Sequence, residues 1–84
     1  FFSFYARKSF QRSFKAVMSM KSAEACAMDN NKETAMHYLK RAKHKGYFNS
    51  KIRIKTFLAN PYFKNMNHYS RFLSFRSKVG KVLL

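Results

Sequence analysis

The stretch AEACAMDNNKETAMHYLKRAKHKGY, residues 23–47, reads as two helices folded back on each other across a short polar turn. Ala23 to Met28 contains no helix breaker and three alanines, the best helix formers. Asp29-Asn30-Asn31 interrupts this run, because such side chains compete for nearby backbone groups and favour turns and caps. Asn30 offers an N-cap to the next helix, and Glu33 follows three residues later, as in a capping box. That second helix is expected over about 31–45. Ala35, Leu39 and Ala42 recur on one face, with Tyr38 beside them. Lys40, Arg41, Lys43 and Lys45 crowd its last turns, where cations suit the helix dipole. Gly46 is a natural stop.

Upstream, residues 9–28 are expected to form the preceding helix, with Phe10, Phe14, Val17, Ala25 and Met28 near helical spacing on one apolar face. Residues 1–8 read as an extended docking arm. Downstream, a shorter helix is expected over about 50–59, contacting the core through Ile52, Phe57 and Leu58. The alternation Lys51-Ile52-Arg53-Ile54-Lys55 covers only five residues, too little to favour a strand. Asn60-Pro61 supplies a cap followed by proline at the first helical position. Tyr62, Phe63 and Met66 then form a short hydrophobic turn. A last helix is expected over about 69–79, using Phe72, Leu73, Phe75 and Val79. Gly80 ends it, and residues 81–84 make an apolar tail. The fold expected is all-α: a helix-turn-helix hairpin with flanking short helices over residues 9–80 and extended termini.

Two segments carry a family resemblance. Residues 23–47, with Ala25, Ala35 and Ala42 at small-residue positions and Leu39 at a large apolar one, resemble a tetratricopeptide (TPR) hairpin. Small residues let two antiparallel helices approach closely. Residues 57–81, FLANPYFKNMNHYSRFLSFRSKVGK, resemble the segment that commonly closes a TPR array, through Asn60, Pro61, Phe63, Met66, Arg71, Phe72, Phe75, Val79 and Gly80. The likeness spans about residues 17–81. Ala23 and Asn30 replace the usual glycines, Trp is missing, and so is the acid usual before the Arg-Phe pair. Only one repeat is present, whereas about three are normally needed to bury a continuous core. The flanking helices or a partner's surface must therefore close the unit. The resemblance implies a protein-binding scaffold without catalysis and leaves its ligand open.

Charge narrows the function. The chain has 84 residues, 18 Lys plus Arg and 3 Asp plus Glu, for a net charge of +15. The acids, Glu24, Asp29 and Glu33, share one short window, and residues 34–84 contain none. AT-rich codons alone would enrich Lys, Phe and Asn, but they would not remove Asp and Glu. A compact chain this charged repels itself and gains stability when nucleic acid, anionic lipid or an acidic protein neutralises it. Lys40, Arg41, Lys43 and Lys45 precede Lys51, Arg53 and Lys55 across Gly46, and these seven are the expected main RNA contact. Arg71, Arg76, Lys78 and Lys81 are a second. Tyr38, Tyr47, Phe48, Tyr62 and Tyr69 are interleaved. They read mostly as core, and exposed ones would stack on unpaired bases.

Catalytic chemistry finds little support. Glu24 and Glu33 read as surface or capping residues. His37 and His44 lie two helical turns apart, His68 stands alone, and no Cys or acid completes a metal set at usual spacing. The His residues are expected in solvent or on phosphates. Cys26, flanked by alanines, reads as a small buried side chain, and a single Cys permits no intramolecular disulfide. Two glycines cannot build a phosphate loop. The expectation is no enzyme, no catalytic or metal-binding residue, no cofactor and no small-molecule substrate. No apolar run approaches the ~18 residues of a membrane span.

Residues 1–14, FFSFYARKSFQRSF, have the basic, acid-free composition of a mitochondrial transit peptide. The chain begins at Phe1, so either a leader has been removed or the chain is incomplete there. Phe1, Phe2, Phe4 and Tyr5 are too aromatic for a free terminus. They are expected, with Leu83 and Leu84, to dock into neighbouring proteins. The resulting expectation is a structural protein of a mitochondrial ribosome, in the matrix, holding rRNA phosphates. The alternative is a peripheral accessory subunit of a respiratory complex or ATP synthase at the matrix face of the inner membrane, facing anionic lipid or acidic subunits. A third reading is a free adaptor whose hairpin binds an acidic peptide.

Overall fold

The turn at Asp29-Asn30-Asn31 does divide two helices, but its chemistry differs from a capping box. The structure, a computed structural model, describes residues 2–81, with side chains from residue 14 onward. Four α-helices follow in order: α1 (Phe2–Met28), α2 (Lys32–His44), α3 (Lys51–Leu58) and α4 (Ser70–Gly80). Short 3-10 turns occupy Tyr47–Asn49 and Pro61–Met66, and the described residues contain no strand. The all-α expectation therefore holds.

Asn30 adopts a left-handed conformation with φ 61°. Its amide donates to the Ala27 carbonyl at 3.1 Å, and the Asn31 amide donates to the Cys26 carbonyl at 2.8 Å. This pair of bonds is a Schellman cap, which satisfies the last carbonyls of α1. Asn30 thus closes α1 instead of opening α2. Asn31 takes the N-cap position, with no hydrogen bond from its side chain. Asn serves here because its short polar side chain tolerates left-handed backbone better than most residues do.

Two expectations for α1 are corrected. Residues 2–8, read as an extended arm, are helical. No Gly or Pro occurs in or beside residues 2–8, so nothing there interrupts the helix. The buried face is also rotated from the one expected. Ala16, Met20, Ala23 and Ala27 are buried, at spacings of four, three and four, while Phe14 is 56% and Met28 58% exposed and Ala25 is exposed. The alanines win because α2 approaches with its own Ala35, Leu39 and Ala42 fully buried. Only a small-residue stripe admits that close approach, and the bulky side chains turn outward. Phe10 has its side chain outside the described set, as do Phe2, Phe4 and Tyr5. Phe1 and residues 82–84 lie outside the described residues altogether.

Gly46 closes α2 as expected, with φ +90°. A Cβ there would lie 3.0 Å from the Asn49 side chain. Gly46→Ala is expected to cost about 1 kcal/mol, the cost of forcing an L residue into this region. For a chain this size that lowers the thermal midpoint by about 4–8 °C. A circular dichroism melt of the variant checks it, and an unchanged midpoint would contradict the assignment.

The second half folds around aromatic rings. Phe57 of α3 lies 5.0 Å from Phe48, 5.4 Å from Phe63, 5.9 Å from Phe72 and 6.0 Å from Phe75, all edge-to-face. Asn60 caps the Pro61–Met66 turn, its side-chain oxygen accepting from the Tyr62 amide at 2.9 Å, with Pro61 at the first position as expected. Phe63 and Met66 enter the core, whereas Tyr62 stays largely exposed. In α3 the buried isoleucine is Ile54, not Ile52, which is 77% exposed. Two residues apart is about 200° around a helix, so only one of the pair can share the Phe57 face. In α4, Phe72, Phe75 and Val79 are buried at spacings of three and four, and Leu73 turns out to solvent. Arg76 is half-buried and donates to the Leu58 carbonyl at 2.9 Å, joining α4 to the end of α3.

Candidate functional site

On α2, residues 36, 40, 43 and 44 lie at helical spacing along one face, and on α4 residues 70, 71, 74, 75 and 78 do the same. The two rows face each other across an open groove of about 660 Å³, lined by Met36, Lys40, Lys43, His44, Ser70, Arg71, Ser74, Phe75 and Lys78. Met36 and Phe75 are mostly buried and form its floor. Lys40, Lys43 and His44 stand on one wall, and Arg71 and Lys78 on the other. None of the chain's three acids lines it. The Lys43 ammonium sits 5.9 Å from the centroid of the Phe75 ring. The ring's negative face attracts the cation and helps hold it over the groove floor. Cations of one sign in a concave site with low-dielectric walls focus the field and concentrate anions.

The sequence separates Lys40 and Lys43 from Arg71 and Lys78 into two contact surfaces. The fold brings these four together. The other basic residues named from sequence lie elsewhere. Arg41 is exposed and Lys45 half-buried, and neither lines the groove. Lys51 and Lys55 are exposed on α3, one turn apart. Arg53 stacks its guanidinium 4.8 Å from the Tyr47 ring centroid. Arg76 is committed to the Leu58 carbonyl. Lys81 is exposed beyond α4. The docking residues Phe1, Phe2, Phe4, Tyr5, Leu83 and Leu84 fall outside the described side chains. Of the interleaved aromatics, Phe48 is buried, Tyr38, Tyr47 and Tyr69 pack partly buried against the core, and Tyr62 is exposed.

Sequence reasoning placed His44 only in general terms, in solvent or on phosphates, and did not name Ser70 or Ser74. His44 had a signal, standing four residues after Lys40 on one helical face. The two serines had none, because their role depends on which face of α4 meets α2. His37 is exposed beside Tyr38 and does not line the groove.

Glu24, expected as a surface or capping residue, is only partly exposed. It is half-buried in a second cavity of about 510 Å³ that also contains Tyr47, Asn60 and Tyr62. Burial raises its carboxyl above the ordinary Glu range, while the Lys21 charge and a hydrogen bond from the Asn60 side chain pull it down. The Tyr47 hydroxyl is likewise raised, by burial first, with Arg53 opposing and the Glu24 charge adding. This cavity shares no residue with the basic groove, so the one partly buried carboxylate does not neutralise the groove's cations directly. Cys26 is a free, half-buried thiol packed against the core.

Among the described residues, no three His, Cys, Asp or Glu side chains come together as a metal site. No helix there is long and apolar enough to cross a membrane. Comparison with protein families, with curated proteins and with solved structures finds no match to this chain.

Proposed function

We propose that this chain is a non-catalytic structural subunit of a mitochondrial ribosome, binding rRNA phosphates through its basic groove and neighbouring proteins through its apolar outer surfaces. The observation that carries the reading is the convergence of Lys40 and Lys43 with Arg71 and Lys78 on one acid-free groove. Phosphate contacts of this kind supply most of the affinity of sequence-independent nucleic-acid binding. A TPR-like hairpin is the scaffold in this reading: α1 and α2 approach through alanines, and the groove uses the adjoining face of α2, about 100° round the helix from Ala35, Leu39 and Ala42. Phe14, Met18 and Met28 add exposed apolar side chains on α1, suited to a neighbouring subunit. The transit-peptide-like composition of residues 1–14 is the support for the mitochondrial compartment.

Sedimentation of a mitochondrial lysate on a sucrose gradient, with and without ribonuclease, tests this. The chain is expected to travel with a ribosomal subunit and to leave that position after ribonuclease. A Lys40→Glu, Arg41→Glu, Lys43→Glu, Lys45→Glu variant is expected to be released without nuclease, because four positive charges become negative, two of them, at Lys40 and Lys43, in the groove itself. Continued co-sedimentation of that variant would count against the reading. Migration with a respiratory complex or ATP synthase that ribonuclease leaves intact would replace it with the peripheral-subunit alternative.

A further inference from the structure

We infer that the α2–α4 groove seats a single unpaired RNA strand and excludes a duplex, an inference that rests on the RNA-binding reading above. Three features of the groove carry it. The first is that its cations stand on two opposed walls, Lys40, Lys43 and His44 against Arg71 and Lys78. One phosphate backbone lying between them is neutralised from both sides. A flat lipid surface or a convex duplex meets only the rim. The second is size. A volume of about 660 Å³ lies in the range of sites for nucleotide-sized ligands. The third is the lining. The floor is Met36 and Phe75, and the methylene stems of the lysines add apolar surface below their charged heads. An unpaired base offers a flat apolar face to such a lining. An acidic peptide brings carboxylates and nothing comparable for the floor. The Ser70 and Ser74 hydroxyls stand one turn apart on the α4 wall, donors and acceptors suited to phosphate and to the ribose 2′-hydroxyl.

The test is fluorescence anisotropy with the 84-residue chain and a labelled 12-nucleotide RNA lacking self-complementarity, offered alone or annealed to its complement at one fixed salt concentration. The lone strand is expected to bind at least tenfold more tightly than the duplex. Ser74→Trp fills the groove without changing charge and is expected to weaken the lone strand at least tenfold. Ser77→Trp, exposed on α4 outside the groove, is expected to change binding less than twofold; circular dichroism confirms that both variants keep the helical content of the parent. Equal binding of strand and duplex, or equal effects of the two tryptophans, would overturn the groove assignment while leaving RNA binding at the surface intact. Tight binding of a 12-residue Asp/Glu peptide, matching the RNA strand, would overturn the choice of nucleic acid. If the parent chain binds neither form of RNA, the RNA-binding reading itself fails and the groove assignment with it.

Discussion

Phe57→Ala is expected to abolish the cooperative thermal transition of this protein at low salt. Four rings meet Phe57 edge-to-face at 5.0–6.0 Å, so it is the hub that joins α3, α4 and both 3-10 turns. Removing a buried Phe costs about 3–5 kcal/mol, from lost transfer energy and the cavity left behind. Part of the upper end reflects the loss of favourable edge-to-face pairs. A small domain starts from the low end of ~5–15 kcal/mol, and a net charge of +15 lowers that further through self-repulsion. The loss therefore matches most of the stability available. Circular dichroism melts of the parent chain, Phe57→Ala and Leu73→Ala check this. Leu73 is an apolar residue on α4 that points to solvent, so its removal is expected to cost within about 0.5 kcal/mol. A cooperative Phe57→Ala transition within about 5 °C of the parent would show that the aromatic cluster does not hold the fold. Added sulfate or phosphate is expected to restore part of the lost helicity, because it screens the repulsion that the missing ring no longer offsets.

Local signals were legible where one residue type carries one backbone job. Gly46 at a left-handed position, Asn60-Pro61 at a helix start, and Ala35, Leu39 and Ala42 on one helical face each follow from the residue itself. What failed was the choice between competing faces. α1 carries Phe14, Met18 and Met28 on one side and Ala16, Ala23 and Ala27 on another. Hydrophobicity favours the first, but interhelical distance selects the second, and that distance belongs to the pair of helices, not to either sequence. The choice of Ile52 over Ile54 missed a spacing that was there to read: Ile54, Phe57 and Leu58 stand at i, i+3 and i+4, whereas Ile52 lies five residues from Phe57, about 140° round the helix. Asn30 was misassigned because Asn serves equally well at a helix end and at a helix start, and only backbone dihedrals separate the two. The site was half legible for a related reason. The basic residues were visible, but their grouping depends on α4 folding back beside α2, a contact between residues more than twenty-five positions apart. Arg76 shows the limit plainly: by composition it belongs with Arg71 and Lys78, but it points inward to the Leu58 carbonyl.

Neutralising the groove should flatten the salt dependence of RNA binding far more than neutralising an equal charge elsewhere. The variant is Lys40→Gln, Lys43→Gln, Arg71→Gln, Lys78→Gln; its control is Arg41→Gln, Lys45→Gln, Lys51→Gln, Lys55→Gln. Each removes four positive charges, so any effect of net charge alone is common to both. Each phosphate neutralised on a single strand contributes a log–log salt slope of about −0.7, through released counterions. Four groove contacts therefore account for a slope of about −2.8, or a roughly 50-fold fall in affinity between 50 and 200 mM salt. The groove variant is expected to lose that component and to bind at 200 mM salt almost as weakly as the parent does at much higher salt. The control keeps the four facing cations and is expected to lose about one unit of slope at most. Its charges lie on open surface, where a flexible strand gains little by reaching them. Titrations at four salt concentrations give both slopes directly. If the two variants lose slope equally, the cations act as a diffuse cloud, and affinity for RNA would follow from net charge with no contribution from how α2 and α4 are packed. If only the groove variant loses it, the packing that places residue 43 opposite residues 71 and 78 is itself the binding determinant, and a mutation that shifts α4 without touching any cation should weaken RNA binding as well.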